Sequence, residues 1–308
     1  MKQLPQERFQ QARVYLFLHG RAIDQARFRF YFEGGSAEEV SAALAAYQNP
    51  DGGFGHGLEP DIRTAASSVI ATTVALQHLR AIGVPAQAPI VGRAIDYLLQ
   101  TYDCARQVWP IVPPAVENAP HAPWWRYTET ERNFGGFVTN PRAEILGYLY
   151  AYQELVSDSL LAVLADTLLA QLRAAPDKIE MHDFLCYLRL ALAPRVPAAL
   201  RTAVQAKLHT ALPHSVAADP QEWLGYGLQP LAVAPTPAAF LAAAFDPALL
   251  ADNLTFLVEQ QQPDGAWGVP WNWAFIDAAA WAAAERAWQG VQIVDNLRVL
   301  HAYGRIAG

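Results

Sequence analysis

His56, Glu59, Asp61 and Arg63 stand close together in Gly55-His56-Gly57-Leu58-Glu59-Pro60-Asp61-Ile62-Arg63-Thr64, a denser set of ionisable groups than a turn needs. Two carboxylates beside an imidazole and a guanidinium suit general acid or base work, with Arg63 holding an anionic group and Glu59 or Asp61 moving the proton. The same residues also fit a plain structural account, in which Asp61 caps a helix and Glu59 pairs with Arg63, each worth on the order of 1 kcal/mol. A second set is Trp267, Trp271, Asn272, Trp273, Asp277 and Trp281. If a helix runs through them, Trp273, Asp277 and Trp281 share one face at i, i+4 and i+8, and a carboxyl buried between two indoles has its pKa raised. Such an acid can start a cyclisation or cleave a glycosidic bond, and indole faces stabilise a carbocation or stack on a sugar. The alternative is a tryptophan core with Asp277 hydrogen-bonded to a neighbouring helix.

Trp124 and Trp125 lie in His121-Ala122-Pro123-Trp124-Trp125-Arg126-Tyr127, inside a stretch rich in proline and aromatics at about 102–140. Adjacent indoles on such a loop fit a lid over a binding cavity, or a loop packed on an outer helix or an oligomer interface. His182, Asp183 and Cys186 form the one metal-like spacing, yet a zinc site wants three or four ligands, so no metal and no cofactor is expected. No Gly-x-Ser-x-Gly, phosphate-binding glycine loop or dinucleotide fingerprint occurs.

These groups must be positioned by helices. Alanine and leucine recur at three-to-four spacing, and no alternating β-branched run is long enough for a strand, so the chain is expected to be all-α. About twelve helices are expected, over 6–32 with a break at Gly20, 37–48, 64–82, 88–101, 141–156, 158–174, 180–193, 197–211, 221–245 in pieces, 247–261, 274–288 and 292–305. Segments with a polar face, such as 37–48 and 197–211, contrast with 64–79 and 274–288, which are apolar nearly all round. An outer ring of helices around an inner ring produces that contrast. Internal repetition points the same way: Gln48-Asn49-Pro50-Asp51-Gly52-Gly53-Phe54-Gly55 returns as Gln261-Gln262-Pro263-Asp264-Gly265-Ala266-Trp267-Gly268. Looser echoes occur at Gly225-Tyr226-Gly227-Leu228-Gln229-Pro230 and Phe134-Gly135-Gly136-Phe137, and the number of repeats stays open. The glycines and Asp of each turn are read as scaffold, with the aromatic filling a gap and the Gln capping helix carbonyls.

The Gln-x-x-Asp-Gly-x-aromatic-Gly segments resemble the repeat motifs of the squalene cyclase and protein prenyltransferase superfamily. Glu59-Pro60-Asp61-Ile62-Arg63 similarly resembles the acidic-x-Asp-x-Arg approach to an inner helix in protein prenyltransferases. The resemblance implies an α/α toroid of helical hairpins, here one domain over 1–308, with a central aromatic-lined cavity. It also implies a terpenoid cyclase or prenyltransferase-like enzyme that binds an isoprenoid-type ligand and uses acid-initiated chemistry. The Asp-x-Asp-Asp acid motif of squalene-type cyclases and the zinc-ligand pattern of protein prenyltransferases do not occur in this sequence. Similar toroids serve glycoside hydrolases and polysaccharide lyases, and a non-catalytic toroid that binds a ligand or partner is a further alternative.

Composition bounds the partners. The chain has 22 basic against 29 acidic side chains among 308 residues, a formal charge of −7, which argues against a phosphate backbone as ligand. No stretch reaches the roughly 20 apolar residues of a membrane span, and Met1 to Gln10 lacks a signal-peptide core, so a cytoplasmic protein with a small-molecule ligand is expected.

Overall fold

The computed structural model describes residues 2–307. Among them there is no β-strand, only isolated bridges, and the chain forms thirteen α-helices. In order these are α1 (Gln6–His19), α2 (Ala22–Phe32), α3 (Ala37–Ala45), α4 (Val69–Ala81), α5 (Pro89–Gln100), α6 (Tyr127–Asn133), α7 (Arg142–Ala151), α8 (Asp158–Ala174), α9 (Met181–Ala191), α10 (Ala198–Ser215), α11 (Pro230–Val233), α12 (Pro247–Glu259) and α13 (Ala278–Ala302). The all-α expectation therefore holds. The chain divides into two compact units, one running from Leu44 to Ser215 and the other joining the segment that ends at Ala43 to the segment that begins at Val216.

Three expected boundaries move, each for a local reason. The helix expected from 64 begins instead at Val69, because Ser68 is the N-cap, its hydroxyl accepting from the Ala71 amide at 3.2 Å, while its own amide donates to Phe54 O. The two helices expected over 274–288 and 292–305 are one, Ala278–Ala302. Gly290 does not end a helix there; it is the point at which α13 passes the buried Asp24 of α2, where a Cβ would sit 2.9 Å from Asp24 Oδ2. The stretch 221–245 holds only the short α11 and single 3-10 turns.

The two repeat turns are the same device built twice. In the Leu44–Ser215 unit, Gln48 Nε2 donates to Gly52 O at 2.9 Å and to Ile90 O of α5 at 3.0 Å, and Asp51 Oδ1 accepts from the Gly53 amide at 3.0 Å. In the other unit, Gln261 Nε2 donates to Gly265 O at 2.9 Å and to Arg8 O of α1 at 3.0 Å, and Asp264 Oδ1 accepts from the Ala266 amide at 3.0 Å. An arginine of the docked helix holds each glutamine oxygen, Arg93 for Gln48 and Arg8 for Gln261. Gly52 (φ 89°) and Gly265 (φ 99°) lie in left-handed backbone, and a Cβ would stand 2.3 Å from Arg93 O or 2.4 Å from the Gln11 carbonyl carbon. Only glycine satisfies both the dihedral and the contact. The aromatic then enters the core: Phe54 is fully buried, and Trp267 is buried with its indole N–H on Leu257 O at 2.9 Å.

In the unit containing α1, α2, α12 and α13, Leu16, Phe28, Leu254, Trp267, Val294 and Leu297 belong to one apolar cluster. The two ends of the chain meet within it: Leu4 N donates to Arg305 O at 2.7 Å and Ala307 N to Leu4 O at 2.9 Å. In the Leu44–Ser215 unit α7 is the helix with no wet face, every residue from Arg142 to Tyr150 being buried. It packs against α9, α8 and α4.

Candidate functional site

The turn after the first repeat motif and the proline-aromatic loop, separated in sequence, come together. The Arg63 amide donates to Pro120 O at 3.0 Å, and the Ala122 amide donates to Asp61 O at 2.9 Å, with Ile62 and His121 bridged between them. Proline at 120 and 123 leaves few competing donors, so the loop's remaining amides are free to lace onto the acidic turn. The pairing sets the carboxyl-bearing backbone beside His121, Trp124 and Trp125.

Within the turn, Glu59 and Asp61 are only 6% and 2% exposed. Glu59 Oε2 accepts from the Asp61 amide at 2.6 Å, a bond that folds one acid back over the other. Arg63 crosses the same turn, since a Cβ on Gly57 would lie 2.9 Å from Arg63 Nη1. His56, in left-handed backbone at φ 54°, turns the other way: its Nε2 meets Asn49 Oδ1 at 2.8 Å. Asn49 Nδ2 already donates to Ala65 O and Ser67 Oγ, so Oδ1 is the acceptor and His56 Nε2 carries the proton. Asn49, the residue His56 meets, lines a groove of about 640 Å³ with Asp51, Ser67 and Tyr97, among others.

The two adjacent indoles divide. Trp125 is buried and stacked on Phe134, centroids 5.0 Å apart and planes 11° from parallel, with its N–H unpartnered. Trp124 is half-buried. His121, quoted in the sequence only as part of that loop, donates from Nδ1 to Ala119 O at 2.8 Å, which fixes the ring over the loop.

In the other unit Trp267, Trp273 and Trp281 are buried. Asp277 is the N-cap of α13, its Oδ1 accepting from the Ala280 amide at 2.9 Å with φ −155°, so it is not a mid-helix acid clasped between Trp273 and Trp281. Those two indoles do meet edge to face at 5.7 Å, both buried. Trp271 is half-buried and lies edge to face with Tyr226 at 5.4 Å and with Trp288 at 5.2 Å. The spacing argument failed at Asp277 because it assumed the helix began before 277, whereas an aspartate ahead of Ala-Ala-Ala is a strong place to begin one.

A second polar cluster, absent from the candidates above, is buried under α7. Glu144, 3% exposed, accepts from Gln77 Nε2 of α4 at 2.7 Å, from Arg189 Nη1 of α9 at 2.9 Å and from the Tyr148 hydroxyl. The Cys186 thiol lies 3.7 Å from Glu144 Oε2, and burial together with that carboxylate pushes it well above the usual thiol range, which leaves it protonated and unreactive. His182 pairs instead with Glu180 at 2.7 Å, so the spacing of His182 and Cys186 does not bring them to one partner. Among the described residues no group of three His, Cys, Asp or Glu is placed to hold a metal. The signal in the sequence was the pair Arg142 and Glu144 inside an otherwise apolar segment.

Asp183, in the first turn of α9, gives the cluster a measurable pH dependence. Burial, then the charge of Glu180, raises its pKa to about 6 against the pull of His182 and the Asn140 amide. The folded state therefore keeps a proton between pH ~4 and ~6 that the unfolded chain has released, so this stabilisation is full below pH ~4 and fades as pH rises through about 6. The expected loss is about 2 kcal/mol, a shift of this size having a ceiling near 3. Urea titrations of wild type and Asp183→Asn from pH 4 to 7.5 check it: the variant is expected to lack that slope.

No family model and no curated protein matches the chain. Among the described residues no helix is long and apolar enough to cross a membrane.

Proposed function

We propose that this chain is an α/α-toroid enzyme of terpenoid cyclase or prenyltransferase-like type that binds an isoprenoid-type apolar ligand and begins its reaction by proton transfer from the Glu59/Asp61 pair. The observation that carries the reading is the lacing of that buried acid pair to the loop bearing His121, Trp124 and Trp125. A carboxyl held out of water favours its neutral, proton-donating form. The half-buried Trp124 then offers a π-face to a developing carbocation. The toroid draws support from the repeated turn, which docks each aromatic corner on a further helix through Gln and Arg, and from the pairing of the chain ends.

A second reading is carbohydrate cleavage, favoured by the groove whose Asn49, Asp51, Ser67 and Tyr97 groups suit sugar hydroxyls more than a hydrocarbon. One experiment separates the two: the purified chain is incubated with prenyl diphosphates, squalene and a panel of oligosaccharides, and products are read by mass spectrometry. Conversion of an isoprenoid supports the first reading and conversion of a glycan the second. Absence of both binding and turnover across the panel removes the enzymatic proposals.

A further inference from the structure

Arg142 opens α7 and is 1% exposed, among the largest fully buried side chains of the molecule. A guanidinium so placed is expected to be paired, since a lone buried charge costs far more than a lone surface one. Its Nη1 has a partner: with the Gln171 amide turned to satisfy both of its ends, Gln171 oxygen accepts from Nη1 at 3.0 Å while its nitrogen donates to Val138 O at 2.9 Å. Nε and Nη2 have none. No carboxylate among the described residues pairs with Arg142; the titratable groups within its electrostatic reach are the phenols of Tyr102 and Tyr187. The nearby acids are spent elsewhere, Asp183 on the Asn140 amide and Asp103 Oδ1 on the amides of Ala105 and Arg106.

Which two nitrogens are left over decides the chemistry. Nε and Nη2 form the side edge of the guanidinium, whose two parallel N–H bonds match the two oxygens of one carboxylate or phosphate group. The Tyr187 hydroxyl stands 3.3 Å from Thr139 Oγ1, and both it and the Tyr102 hydroxyl lie within electrostatic reach of the guanidinium. Burial pushes both phenols up, so each holds its proton at neutral pH and can donate. The position at the first residue of α7 adds the positive end of a ten-residue helix. Around this buried guanidinium, Tyr102 is only half-buried and Val138, whose carbonyl holds the Gln171 amide, is exposed.

We propose that Arg142, with Tyr102 and Tyr187, is a binding site for a single oxyanion group, a carboxylate or a phosphate, gripped side-on through Nε and Nη2. The site is separate in its residues from the Glu59/Asp61 pair, so it stands whether or not the enzymatic reading does.

The test titrates the full chain with sodium phosphate and, separately, sodium acetate, against sodium chloride at matched ionic strength, read by calorimetry and by melting temperature. Saturable binding of at least one oxyanion, with a rise in melting temperature over chloride, is expected. Arg142→Lys is expected to weaken it by about tenfold or more, because an ammonium cannot supply the fork. Tyr102→Phe is expected to weaken it by a few-fold, and Arg142→Met to abolish it. Response to phosphate alone assigns a phosphate site and response to acetate alone a carboxylate site. The proposal is overturned if neither anion differs from chloride, or if Arg142→Lys and Tyr102→Phe both bind as wild type does. Those two variants carry the test should Arg142→Met not fold.

Discussion

Glu59→Gln is expected to lower turnover by about 10²- to 10⁴-fold while leaving the fold in place. The amide oxygen of Gln can still accept from the Asp61 amide, the bond that Glu59 Oε2 makes at 2.6 Å, so the loop keeps its internal tie. What the substitution removes is the transferable proton. Glu59→Ala differs, because it strands a buried amide and adds about 1–3 kcal/mol of instability to any loss of activity. Turnover on whichever substrate the panel yields, measured beside urea unfolding for both variants, separates chemistry from folding. A Glu59→Gln protein with wild-type turnover would sink the acid role.

The second large effect is on stability. Glu144→Ala is expected to cost about 3 kcal/mol, toward the low end for a broken buried ion pair because the Arg189 side chain is 34% exposed. Burial alone pulls the Arg189 guanidinium's pKa down, and the charge of Glu144 outweighs it, so the guanidinium stays charged in the folded chain. Without Glu144 the guanidinium loses its counterion, the Gln77 amide loses an acceptor, and the buried Tyr148 hydroxyl has nothing to donate to. The Tyr148 pKa, held far up by burial and then by Glu144, rules out relief through ionisation. Urea unfolding gives the magnitude. The double variant Glu144→Leu with Arg189→Met is expected to recover only part of the loss, since apolar residues of similar volume replace the ion pair at little net cost while the Gln77 amide and the Tyr148 hydroxyl still lack that acceptor.

The helical class and the repeat turn were legible because both are local. Three-to-four spacing of apolar residues and a Gln-x-x-Asp-Gly corner depend on a few neighbouring positions, and Gly52 and Gly265 adopt the left-handed backbone that such corners demand. The closeness of Glu59 and Asp61 was legible for the same reason, whereas the turn of His56 toward Asn49 was not. Asp277 was misread because the helix was begun at 274, although an aspartate ahead of three alanines marks an N-cap, as its bond to the Ala280 amide shows. Glu144 and Arg142 escaped because their meaning lies in partners at 77, 171 and 189, and nothing local marks those positions. The lacing of Arg63 to Pro120 and of Ala122 to Asp61 was likewise invisible, being made by backbone groups that every residue carries.

With Leu4 held between Arg305 and Ala307, a short flexible tether can join the termini without reaching across the molecule. Circular permutants then become practical, with new ends opened at the exposed Pro176-Asp177-Lys178 turn. Such permutants would keep every contact described above while changing the order in which the polypeptide leaves the ribosome.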